Sequence, residues 1–94
     1  MAKVTQEYWQ VWTMDKWDGH VYYHDHNGVM TRNYESAHRF KTYEAAERVA
    51  KSLEKKSWRA GFDNVTITHA WKVGCFDWHH EDVYRAKLNA AYAA

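Results

Sequence analysis

The spacing of apolar and aromatic positions changes along this chain, and each spacing predicts a different element. Residues 6–14 are rich in β-favouring side chains and end at a turn-forming stretch, so they predict a first strand. Residues 20–26 form a second strand-like run. Asn27 and Gly28 follow it, and because a type I′ turn needs two residues that tolerate positive φ, they predict a hairpin into a third strand over 29–34.

A two-residue turn also sets the register of this hairpin. It places His26 opposite Val29 and His24 opposite Thr31 in the ladder.

The middle of the chain has the period of an amphipathic helix. Thr42 is placed as its N-cap and Glu44 lies in its first turn, so we predict a helix that begins at Tyr43 and runs to about residue 60. Apolar residues recur at i, i+3, i+4 and i+7, namely Ala46, Val49, Ala50 and Leu53.

Two further elements follow the helix. Residues 65–73 alternate between apolar and polar side chains, which predicts a half-buried strand. Residues 77–92 carry a possible cap at Asp77 and a narrow apolar stripe, which predicts a second helix. We therefore expect an α+β fold in the order β-β-β-α-β-α, with an antiparallel sheet of three to four strands, one long amphipathic helix packed on it and a C-terminal helix.

All 94 residues are expected to form a single domain. Residues 6–73 would contain the sheet and main helix, and residues 74–94 a C-terminal helical segment. The sequence contains one cysteine, Cys75, which fits a reducing compartment. It contains neither a signal-peptide segment nor the roughly 20 apolar residues of a membrane span, so we predict a cytoplasmic protein without membrane association.

The aromatic content adds a constraint on function. Six Trp, seven Tyr and three Phe make 17% of the chain aromatic, whereas a domain of this size buries only roughly 65% of its unfolded surface. The first two strands carry rings at both parities, which predicts apolar side chains on both sheet faces. Either the terminal helix or a second chain must cover the second face, so the protein is expected to act by contact, as a homodimer or with another protein.

Candidate contact residues come from the first hairpin and from the C-terminal segment. Tyr, Trp and His combine an apolar body with a polar tip, which suits them to interfaces. The residues predicted to contact a partner are Trp17, His20, Tyr22, His24, Trp78 and His79.

Two alternatives remain open at this point. His24 and His26 share one strand face. If they met His79 and His80 in the fold, the protein would be a metal-binding module or a small metal-dependent enzyme, although the spacing matches no standard zinc signature. Single-stranded nucleic acid could stack on the rings, but the net charge of +1 disfavours binding by bulk charge. No motif for catalysis is present, so we expect neither an enzyme nor a cofactor.

One stretch carries a resemblance to known proteins. Residues 36–50, with Ala37, Phe40 and Thr42 leading into a helix start at Glu44 and Ala45, resemble small phage- and prophage-encoded accessory proteins that have an N-terminal hairpin. The resemblance implies a protein that binds and alters a host protein. We therefore predict a non-enzymatic phage or mobile-element protein that inhibits a host nuclease, polymerase or defence factor.

Overall fold

One long strand at the centre of the sheet organises the fold. The computed structural model describes residues 4–15, 19–55, 62–75 and 77–87. The strands form one antiparallel sheet in the order β3-β2-β1-β4-β5, so β1 pairs with β2 and β4. The elements are β1 Val4–Asp15, β2 Val21–His24, β3 Met30–Thr31, a 3-10 turn Tyr34–Ser36, α1 Tyr43–Lys55, β4 Phe62–Val73 and β5 His79–Lys87.

The predicted sheet of three to four strands with a C-terminal helix is wrong. The sheet has five strands, and β5 occupies much of the segment predicted as a second helix. Gly74 has a φ of 60°, which allows the chain to turn sharply after β4. The edge of β4 then offers β5 a row of backbone hydrogen-bond partners, which outweighs the weak helical period of residues 77–92. Residues 88–94 lie outside the described residues.

A β-bulge decides which side chains of β5 face the helix. Ile67 pairs with Tyr84 and Thr68 pairs with Asp82, so Val83 has no partner in the ladder. Because the extra residue shifts the alternation, Tyr84 packs towards α1 while Asp82 lies on the opposite face. A strict period of two would have placed Tyr84 and Asp82 on one face. Because the bulge interrupts the alternation, the sequence pattern does not indicate this strand.

The hairpin between β2 and β3 has a three-residue loop, so the predicted two-residue turn is wrong. The Asp25 amide donates to the Val29 carbonyl at 3.0 Å, which encloses residues 26–28. The Asp25 carboxylate accepts from the amides of Asn27 and Val29, both at 2.8 Å. These bonds, together with the φ of 84° at Gly28, favour the longer loop.

The longer loop changes the register by one residue. His24 pairs with Met30 and Tyr23 pairs with Thr31, whereas the prediction placed His24 opposite Thr31. A slip of one residue exchanges the faces of a strand. As a result Met30, and not Thr31, shares the α1 side of the sheet with His24.

The helix begins where the sequence predicted. The Ala45 amide donates to Thr42 Oγ1 at 3.2 Å, which confirms the N-cap. The helix is described as far as Lys55, and its predicted continuation to residue 60 lies outside the described residues. Within the described part, no helix is both long and apolar enough to cross a membrane. The helix packs on β1 and β4, and the buried core comprises Val11, Phe40, Ala46, Ala50, Val65 and Ile67.

The sheet face opposite α1 carries both rings and polar groups. Trp12 Nε1 donates to Thr68 Oγ1, and that hydroxyl donates to Asp82 Oδ1, both at 2.8 Å. Gln10 and Thr66 are buried on the same face. This face is therefore a mixed surface, and not the wholly apolar one that the ring parity predicted.

Replacing Gly28 with alanine tests the hairpin loop. We expect a loss of about 1 kcal/mol in the free energy of unfolding, because a Cβ is unfavourable at a φ of 84° although there is space for it. Gly28→Asn should lose less, since asparagine tolerates this conformation. Urea denaturation of both variants measures the difference, and equal losses would contradict the left-handed conformation at this position.

Candidate binding groove

The position of α1 leaves part of the sheet beside it open. Since α1 packs on β1 and β4, the α1 side of β2 and β3 forms the floor of a groove next to the helix. This hairpin groove has a volume of about 930 Å³. It lies between the flank of α1, the β2–β3 hairpin and the segment 38–41 that leads into the helix.

Apolar side chains line the wall and floor of the hairpin groove. On α1 they are Ala45, Val49 and Leu53, which follow one another at intervals of four residues and therefore form one stripe on the helix. Met30 contributes from β3 and is 42% exposed. Val29, the next residue along the hairpin, is 61% exposed and does not line the groove. The apolar lining of the groove therefore comes from α1, Phe40 and Met30.

The rim of the groove is basic. Lys41 and Arg48 line it and are exposed, and neither forms an ion pair with a carboxylate among the residues that the structure describes. Arg39 also lines the groove, but its guanidinium lies 4.3 Å from the centre of the Tyr8 ring, which is on the opposite sheet face. Lys41 and Arg48 are therefore the cations available to a ligand.

Asp25 is the one carboxylate among the described groove residues, and it has partners. Partial burial opposes its ionisation. Hydrogen bonds from the amides of Val29 and Asn27, with His26 and His38 nearby, outweigh burial and hold the pKa of Asp25 below its usual value. This carboxylate stabilises the loop and sets one negative charge against the three cations that line the groove, Arg39, Lys41 and Arg48.

His24 supports the floor of the groove. Its side chain is only 3% exposed, and Nε2 lies 2.7 Å from the Thr13 hydroxyl. Burial lowers the pKa of His24 from 6.5 to about 4, although the neighbouring Asp25 opposes that shift. The imidazole is therefore neutral at pH 7 and positions the floor without adding charge to it.

Two further imidazoles lie at the end of the groove near the hairpin loop. The rings of His26 and His38 are 5.1 Å apart and edge-on, and the His38 ring contacts Phe40 at 4.5 Å. Together they connect the loop to the segment before α1. The sequence indicated His26 only as a candidate metal ligand, and it did not indicate His38 as a site residue.

The five predicted contact residues that the structure describes lie at several places on the sheet. Trp17 lies outside the described residues, and His24 is the one of the remaining five that lines the groove. His20 accepts a bond from Arg32 Nη2 at 3.0 Å, and Tyr22 is half-buried on β2. The C-terminal candidates lie elsewhere: Trp78 contacts the Tyr8 ring at 5.1 Å and His79 stacks on Trp71 at 5.4 Å.

The four histidines of the alternative metal site are also separated. His24 and His26 belong to the β2–β3 hairpin, whereas His79 and His80 lie on β5 at the opposite edge of the sheet. Two strands intervene, so the axes of β2 and β5 are roughly 14 Å apart at the usual strand spacing. Among the described residues, no three His, Cys, Asp or Glu side chains are grouped to hold a metal ion.

A column of stacked rings occupies the α1 side of the sheet beyond the helix. His69 stacks between Trp9 at 4.6 Å and Trp71 at 5.0 Å, and its Nε2 lies 2.9 Å from the Glu7 carboxylate. The exposed ring of His79 ends the column. Trp71 is half-buried. Several aromatic residues are thus used in contacts with one another.

Comparisons with known proteins return no counterpart for this chain. It matches no family model, no curated protein and no solved structure. The α+β fold and the hairpin groove are therefore the basis for assigning a function, and the resemblance to phage accessory proteins stays a prediction.

Proposed function

We propose that this protein acts by binding a segment of another protein in the hairpin groove and carries out no reaction of its own. The observation that carries the proposal is an accessible apolar stripe, Ala45, Val49 and Leu53, beside two cations without ion-pair partners in the described residues, Lys41 and Arg48. Burying such a stripe is favourable by roughly 25 cal/mol per Å² of apolar surface. The cations would orient the bound segment.

The surroundings of the groove favour a macromolecular partner over a small molecule. Small-molecule sites enclose most of their ligand and direct a few polar groups at it. Here the buried polar pair on the floor, His24 and Thr13, is already hydrogen-bonded together, and Met30, on the sheet side of the groove, is 42% exposed. A protein segment would contact both the helix wall and the sheet floor.

Nucleic acid is a weaker candidate for the same groove. Binding to a phosphate backbone requires several aligned cations. The groove offers two available cations, Lys41 and Arg48, which is fewer than such binding needs. Single-stranded nucleic acid also needs exposed ring faces. The Phe40 ring is 4% exposed and lies in the core, so it is unsuited to stacking with a base.

The resemblance to phage accessory proteins gives this proposal a biological setting. In that setting the partner is a host protein, such as a nuclease, polymerase or defence factor, and occupation of the groove alters its activity. A binding protein of this kind needs a complementary surface, which the hairpin groove supplies. The cytoplasm of the host cell would be the corresponding location.

Paired surface variants test the proposal. Binders would be selected from a displayed library of random 16-residue peptides, and their dissociation constants measured by fluorescence anisotropy. Met30→Glu puts a charge on the floor of the groove, so we expect at least tenfold weaker binding of the selected peptides. Val4→Glu, at a 49% exposed site on β1 away from the groove, should leave binding unchanged. If the dissociation constants of the selected peptides were unchanged by Met30→Glu, the proposal would be contradicted.

A further inference from the structure

We infer that the hairpin groove binds an acidic amphipathic helix, which lies beside α1 over β2 and β3. This inference rests on the proposed function and specifies the chemistry of the partner. It follows from three features of the groove: its width on the sheet, the spacing of its apolar stripe and the sign of its charges.

The sheet has room for a second helix on the α1 side. Five strands at about 4.8 Å spacing span roughly 19 Å between their outer axes, whereas packed helices lie about 8–10 Å apart. Because α1 packs on β1 and β4, it lies between the middle strand and the β5 side of the sheet. Beside α1, the space over β2 and β3 therefore has the width of one more helix.

The apolar stripe on α1 has the spacing that helix packing requires. Ala45, Val49 and Leu53 succeed one another every four residues, so they form a ridge about 12 Å long on the flank of the helix. A second helix with apolar residues at i, i+3, i+4 and i+7 can pack against such a ridge. Met30 would then contact the same helix from the sheet.

The charges at the rim select an acidic partner. Lys41 lies just before α1 and Arg48 lies on the helix, so the two cations are spread along the groove. Asp25, the one carboxylate among the described groove residues, is already bonded to backbone amides. Glutamate or aspartate on the flank of an incoming helix would therefore find opposite charges.

An extended segment fits this site less well than a helix. Strand addition uses the free edge of a sheet, and the edge strand next to the groove, β3, has only two residues. The groove opens on the face of the sheet, between α1 and the hairpin, where side chains and not backbone groups are presented. A helix satisfies its own backbone and presents side chains in return.

The sequences of peptides selected from the random 16-residue library test the inference. We expect the peptides that depend on Met30 to carry net negative charge and apolar residues three and four positions apart. Arg48→Glu should weaken their binding at least tenfold. Lys51→Glu makes the same charge change elsewhere on α1, where the Lys51 ammonium lies 5.1 Å from the centre of the Tyr84 ring, and should have little effect. Circular dichroism should show a gain of helix in the complex.

The outcomes separate the inference from the proposed function. Basic peptides, peptides with alternating apolar residues, or binding without a gain of helix would overturn the inference, while dependence on Met30 would still support the groove as the binding site. Recovery of no peptide, or only of peptides unaffected by Met30→Glu, would overturn both.

Discussion

Replacing Ile67 with alanine is expected to lower the free energy of unfolding by about 3 kcal/mol. Ile67 is completely buried, pairs with Val11 on one side and Tyr84 on the other, and belongs to the core beneath α1. Removing the three outer carbons leaves a cavity that close-packed neighbours fill only in part. Urea denaturation followed by tryptophan fluorescence measures the loss as a shift of the midpoint.

Val83→Ala is the matched control for this variant. Val83 is the unpaired bulge residue of β5 and is 38% exposed, so its truncation should change stability by no more than about 0.5 kcal/mol. If Val83→Ala cost as much as Ile67→Ala, the bulge would be misplaced and the strand alternation of β5 would continue through it. The pair therefore tests the register that replaces the predicted helix.

Stability is expected to decrease by up to about 3 kcal/mol between pH 7 and pH 4 because of His24. Its pKa is about 4 in the folded protein and 6.5 when exposed, and each unit is worth about 1.36 kcal/mol. Below pH 6.5 the unfolded chain binds a proton that the folded chain excludes, so protonation favours unfolding. Above pH 6.5 His24 is neutral in both states and does not lower the free energy of unfolding. The loss grows as the pH falls towards 4.

Chemical denaturation of two histidine variants at several pH values checks this dependence. His24→Asn removes the titrating group, so its free energy of unfolding should vary much less between pH 7 and pH 4. His79→Gln removes an exposed imidazole and should keep most of the dependence of the native chain. A His24→Asn variant with an undiminished slope would show that other groups cause the acid destabilisation.

Elements with strong local signals were predicted well. The first strand was predicted over 6–14 and extends from Val4 to Asp15, and the strand predicted over 65–73 extends from Phe62 to Val73. The helix begins at Tyr43 after the Thr42 cap, as predicted. In each case neighbouring residues determine the structure, through alternation, helical period or a side chain that caps a backbone amide.

Elements that depend on distant partners were predicted poorly. The β5 strand is stabilised by β4, and its bulge at Val83 interrupts the pattern that would have indicated a strand. The hairpin register depended on the choice between two short loops, which the carboxylate of Asp25 decides. Both errors have the same cause. The competing local conformations differ in free energy by less than the hydrogen bonds of the complete fold contribute.

The candidate site was only partly visible in the sequence. The sequence pattern indicated aromatic and histidine residues, of which His24 and His26 line the hairpin groove. Val49 and Leu53 were predicted as apolar helix positions. Both pack partly against the core and also line the groove. The groove exists because α1 lies over β1 and β4 and leaves β2 open, and the period of the helix carries no information about that position.

The sequence by itself determined an α+β domain with a first strand, a hairpin and a capped helix, because these follow from interactions between residues close along the chain. Tertiary structure alone decided that the C-terminal segment contains the edge strand β5, and that Lys41, Arg48 and the stripe from Ala45 to Leu53 form one groove. These features depend on which side of the sheet remains unfilled, and that is settled only when all the elements pack together.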